Sequence, residues 1–106
     1  MTKIKIALPN DIIEVDAEPI EIRLNGRDDL RFYAHKTPDN DGTKPTYTVS
    51  EHNTGMACGN GQTKQGAIER ATRNVQKAER TGKLKGVLSD AIRTLLGNGY
   101  DYPIND

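Results

Sequence analysis

The chain has no tryptophan, one phenylalanine and one cysteine, and its fifteen basic and fifteen acidic residues leave no formal net charge. Without tryptophan, a core must be built from Ile, Leu, Val and Ala with a few tyrosines. A lone cysteine, Cys58, excludes an intrachain disulfide, so nothing in the chain calls for an oxidising compartment. Zero net charge excludes the overall basic field of a strong nucleic-acid binder. No apolar run approaches the ~20 residues of a membrane span, and no basic segment leads into an apolar stretch at the N-terminus. The expectation is a cytoplasmic protein of one domain, residues 1–106, since domains cluster near ~100–150 residues. At this length roughly 60–70% of the unfolded surface is buried on folding, a modest stability that a homodimer would raise.

The neutral total conceals an uneven distribution. Residues 1–46 carry a net charge of −2, residues 47–96 carry +4, and residues 97–106 carry −2. The basic section coincides with the helical part of the sequence pattern.

Residues 3–59 read as an antiparallel sheet of four to six short strands. "KIKIAL" (3–8) alternates with a period of two, and "IIEV" (12–15) and "IEIRL" (20–24) follow. Asn25-Gly26 has the chemistry of a two-residue hairpin turn, which leads into "LRFYA" (30–34). "TPDNDGTKP" (37–45) is a polar loop. "TYTVSE" (46–51) and "GMACG" (55–59) form a final pair of strands across a turn at residues 52–54.

Beyond the sheet the period changes. Thr63 is positioned as an N-cap, its hydroxyl accepting from the amide of residue 65 or 66. A helix over 64–80 gathers Ala67, Ile68, Ala71, Val75 and Ala78 into one stripe. On the opposite side Arg70, Arg73, Lys77 and Arg80 fall within about 80° of one another. Thr81-Gly82 ends this helix. A second, over 84–96, repeats Leu84, Val87, Leu88, Ala91, Ile92, Leu95 and Leu96 at three- and four-residue spacing until Gly97-Asn98-Gly99. The pattern predicts an α+β fold, the two C-terminal helices packing on one face of the sheet. The tail carries Tyr100, Tyr102 and Ile104, which either cover the core or fray.

Catalytic and metal chemistry finds few candidates. His35, His52 and Cys58 are isolated in sequence, and three N/S ligands fall short of the four of a structural zinc site. Asp28/Asp29 and Asp39/Asp41 read as solvated loop residues. "GNGQTK" (59–64) lacks the glycine spacing of a phosphate loop. No nucleophile with a base assembles, so the chain reads as a non-enzymatic binding protein without a cofactor. The start of the 64–80 helix, with Lys64 beside it, offers amides to an anion. The row Arg70, Arg73, Lys77 and Arg80 is the arrangement that binds phosphate backbones. Residues Lys64, Arg70, Arg73, Lys77 and Arg80 therefore form the expected partner-binding set. Nucleic acid or a nucleoprotein complex is the expected partner. The alternative is a protein-binding inhibitor or antitoxin-like factor of a mobile element, acting through loop 37–45 or the apolar side of the last helix.

"GNGQTKQGAIERA" (59–71) resembles the strand-to-helix segment of double-stranded RNA-binding domains, with Gly59, Gly61, Thr63, Lys64, Ala67 and Ala71 in the matching positions. The resemblance implies phosphate contacts from the start of the helix, where Lys64 carries the role and Gln65 replaces the family's second lysine. Residues 47–71 also resemble the N-terminal part of HicB-type antitoxins, which share a strands-then-helix order.

Overall fold

The computed structural model describes residues 2–8, 11–25, 29–38 and 46–105. The elements are β1 (Thr2–Leu8), β2 (Asp11–Ile20), β3 (Phe32–Lys36), β4 (Tyr47–Glu51), β5 (Ala57–Gly61), α1 (Lys64–Arg80) and α2 (Leu84–Gly97). The five strands form one antiparallel sheet in the order of the chain, and the two helices follow. The expected α+β arrangement is thus the observed one.

Register fixes which residues share a face. Ala34 opposes Val49, and Val49 opposes Gly59, on the face that α1 covers. There Ile22, Phe32, Ala34, Val49, Ala67, Ala71, Val75, Leu84 and Leu88 form the main core. Ile4, which opposes Val15, and Ile6, which opposes Ile13, lie on the other face with Ala17 and form a second, smaller cluster. That second cluster needs a cover, and the sheet supplies it by curling. The Ala7 amide donates to the Gly55 carbonyl at 3.0 Å, although β1 and the β4–β5 turn lie at opposite ends of the strand order.

The tail completes this closure. Asn105 accepts from the Lys5 amide through Oδ1 at 2.8 Å, and its Nδ2 donates to the carbonyls of Lys5 and His52, each at 2.8 Å. The Ile104 amide donates to the Asn53 carbonyl at 2.9 Å, and its side chain is buried. Gly55 has φ 69°, and a Cβ there would stand 2.5 Å from Ile104 Cδ1. Glycine meets both the backbone and the packing demand of this turn.

Two strand expectations need correction. "IIEV" and the start of "IEIRL" belong to a single strand, β2, which runs to Ile20. Residues 21–24 are not a strand. The Arg23 carbonyl accepts from Gln76 Nε2 at 3.0 Å, and the Asn25 amide donates to Glu79 Oε1 at 2.8 Å. Side chains of α1 take the backbone groups that a ladder would use, while Ile22 keeps its inward position. The β2–β3 pairing closes at Ile20 opposite Phe32, so the connection spans residues 21–31 and is no two-residue hairpin. Gly26 itself lies outside the described residues. β3 and β5 each begin two residues later than expected, at Phe32 and Ala57.

Candidate functional site

The β5–α1 junction is built by close approach. A Cβ on Gly59 would lie 2.6 Å from the Ala71 amide nitrogen, and one on Gly61 would lie 2.8 Å from that of Ala67. Two glycines on the strand and two alanines on the helix let the backbones meet. Thr63 caps the helix in the expected way, its Oγ1 accepting from the Gly66 amide at 2.9 Å. Asn74 Nδ2 donates to the Cys58 carbonyl at 2.9 Å and ties the middle of α1 to the same strand.

This anchoring decides which side of α1 faces out. Ala67, Ala71 and Val75 are buried, with Ile68 and Ala78 half-buried. Arg70, Arg73, Lys77 and Arg80 are all exposed. Their spacing of three, four and three residues makes one row about 15 Å long, at ~1.5 Å per residue. Among the described residues no ion pair or side-chain hydrogen bond engages any of the four. No acidic residue stands in the first turn of the helix, and Lys77 and Arg80 occupy its last turn.

Lys64 is placed differently. It is exposed at the start of α1, about 120° around the helix from Arg70. Its Nζ is paired with Glu18 of β2, which raises its pKa through the hydrogen bond and the charge of that carboxylate. The five expected binding residues thus separate into a row of four unengaged cations and one engaged lysine.

The histidines and the cysteine keep separate partners. His35 Nδ1 donates to the Lys36 carbonyl at 2.8 Å, which leaves Nε2 to accept from the Ser50 hydroxyl, also at 2.8 Å. Burial pushes the His35 pKa down, partly opposed by the carbonyl bond. The Ser–His pair has the connectivity of an activated nucleophile, but Ser50 is 1% and His35 3% exposed, so a substrate does not reach it in this conformation. His52 pairs with Asn53 in the turn. Cys58 directs its thiol at the Met56 carbonyl, 3.6 Å away. Burial first, and then the nearby Glu51 carboxylate, push its pKa up to about 12. Among the described residues no three His, Cys, Asp or Glu side chains gather as metal ligands. Asp28, Asp39 and Asp41, and loop residues 39–45, lie outside the described residues.

Sequence reading gave no sign of the buried Glu51. At 1% exposure its carboxylate accepts from the amides of Asn53 and Thr54 at 2.7 and 3.0 Å and from the Thr54 hydroxyl at 2.8 Å. A Glu followed by Asn and Thr at a strand end is the local signal that would have found it. A second exposed feature is apolar. Val87 and Leu96 on α2 are 41% and 57% exposed, and a groove of about 480 Å³ beside α2 is lined by Ile12, Met56, Val87, Leu95 and Tyr100 among others. Among the described residues no helix is long and apolar enough to cross a membrane.

The chain matches no protein-family profile, no curated protein and no solved structure.

Proposed function

We propose that this is a non-enzymatic regulatory protein of the cytoplasm that docks on nucleic acid, bare or within a nucleoprotein complex, through the exposed face of α1. One observation carries the reading: Arg70, Arg73, Lys77 and Arg80 stand in a single exposed row, unengaged, in a chain whose total charge is zero. Lys3 and Lys64 differ from the row in that each pairs with a carboxylate, Lys3 with Asp16 and Lys64 with Glu18. A row of cations without an ion pair among the described residues suits a dense external array of negative charge. The resemblance of residues 59–71 to a double-stranded RNA-binding segment points the same way, although Lys64 is already paired with Glu18.

Binding to duplex DNA, duplex RNA and single strands, measured by fluorescence anisotropy across a salt series, tests the proposal. The expected result is salt-dependent affinity that falls when Arg70, Arg73 and Lys77 are replaced by alanine. Absent or salt-insensitive binding, unchanged by those substitutions, overturns it.

A second reading, docking on a protein as an inhibitor or antitoxin-like factor, rests on Val87 and Leu96, which leave the flanks of the α2 stripe open. A stoichiometric protein partner that survives nuclease treatment and is lost with Leu96→Lys supports this reading over the first.

A further inference from the structure

Resting on the nucleic-acid reading, we infer that the α1 row contacts phosphates alone, so that binding is blind to base sequence. Reading a base edge takes a side chain held in a fixed orientation, commonly an amide to adenine or a braced arginine fork to guanine. Of the three amide side chains on α1, two are committed to backbone carbonyls within the protein. Asn74 Nδ2 donates to the Cys58 carbonyl at 2.9 Å, and Gln76 Nε2 donates to the Arg23 carbonyl at 3.0 Å. The third, Gln65, has only a long 3.5 Å contact with Glu69 Oε1, which does not hold its amide in a fixed orientation either.

The arginines show the converse. Arg70, Arg73 and Arg80 have no ion pair or side-chain hydrogen bond among the described residues, so nothing braces a guanidinium into the bidentate pose that guanine requires. Loose cations lose little when the ligand is a field of phosphates, because many rotamers find an oxygen. Helix α1 also contains no aromatic residue, which removes the stacking platform on which proteins hold unpaired bases. What remains on this face is charge along a line. The ligand chemistry is the phosphodiester backbone, which duplex DNA and duplex RNA share.

The test uses the full chain with four labelled duplexes of about 20 base pairs, A·T-only (A·U-only in RNA) and G·C-only, each as DNA and as RNA, and the matching single strands. Dissociation constants for the A·T and G·C members of each type are expected to agree within about threefold, with one salt slope for both. Asn74→Ala and Gln76→Ala are expected to leave that ratio unchanged, and circular dichroism confirms that each variant is folded. A preference of about tenfold or more for one base composition, or a preference erased by Asn74→Ala or Gln76→Ala, overturns base-blind binding while leaving nucleic-acid docking intact. Tighter binding to the single strands than to both duplexes also overturns it. No binding to any probe overturns both readings together.

Discussion

Gly59 in β5 and Ala71 in α1 approach so closely that a Cβ on the glycine would stand 2.6 Å from the alanine's amide nitrogen and 2.8 Å from its Cα. The obstacle is backbone, which cannot swing aside as the end of a long side chain can. Gly59→Ala must therefore lift the helix or bend the strand, at a cost of roughly 1–3 kcal/mol. Gly86 gives the contrast, since nothing lies within 4 Å of a Cβ added there and it sits in the first turn of α2. Gly86→Ala is expected to stabilise by about 0.5–1 kcal/mol. Urea unfolding of both variants checks the pair; a neutral Gly59→Ala would show that α1 does not rest on β5 as closely as this.

The same contact explains why part of the fold was legible in the sequence and part was not. Thr63, the Ala67/Ala71/Val75 stripe and Thr81-Gly82 act within a turn or two of chain, so cap, period and stop predicted a helix from 64 to about 80, where Lys64–Arg80 stands. The outward row followed from that helix by rotation alone. What escaped depends on partners far along the chain. Residues 21–24 alternate like a strand, and only Gln76 and Glu79, more than fifty positions away, show why no ladder forms. Asn105 bonds Lys5 across a hundred residues, and no local pattern announces that. Lys64 looked like a free cation until the fold placed Glu18 beside it.

His35 gives the stability a pH dependence of definite sign. Burial lowers its pKa in the folded state below the ordinary value of 6.5, so between the two values the unfolded chain binds the extra proton. Its contribution is complete above pH 6.5 and is lost as pH falls through the lowered value. A charged imidazole would also carry hydrogen on Nε2, facing the Ser50 hydroxyl that now donates to it. Urea midpoints measured from pH 7.5 down to about 4.5 should fall more steeply for the native chain than for His35→Gln, which has no proton to gain there. Parallel curves would mean that His35 keeps an ordinary pKa in the folded state.

The sheet's outer edges are both engaged, and Asn105 is the residue that closes the first of them. Its amide joins the Lys5 amide and carbonyl to the His52 carbonyl, doing for β1 what Asn74 does for the Cys58 carbonyl of β5. Asn105→Ala removes three hydrogen bonds at a partly buried point, with an expected loss of about 1–3 kcal/mol. Asn105→Asp separates bonding from size, because the carboxylate still accepts from Lys5 but has no hydrogen for either carbonyl. It should be at least as destabilising as alanine. Amide hydrogen exchange at Lys5 should accelerate in Asn105→Ala, and an unaltered rate there would show that the tail does not protect β1.

Cys58 is expected to be inert while the chain is folded. With its pKa pushed up to about 12 by burial and by the Glu51 carboxylate, the thiolate is scarce at pH 8, and the thiol already points at the Met56 carbonyl. A free thiol titrates near ~8.5, so unfolding should speed alkylation at pH 8 on the order of a thousandfold. Following iodoacetamide labelling by mass spectrometry, with and without denaturant, measures that ratio. Glu51→Gln removes the neighbouring negative charge and should raise the folded-state rate, although the substitution also weakens the turn at Asn53 and Thr54. Cys58→Ser controls for labelling elsewhere. Fast labelling of the folded native chain would place the thiol in solvent and remove the basis for reading it as a packed residue.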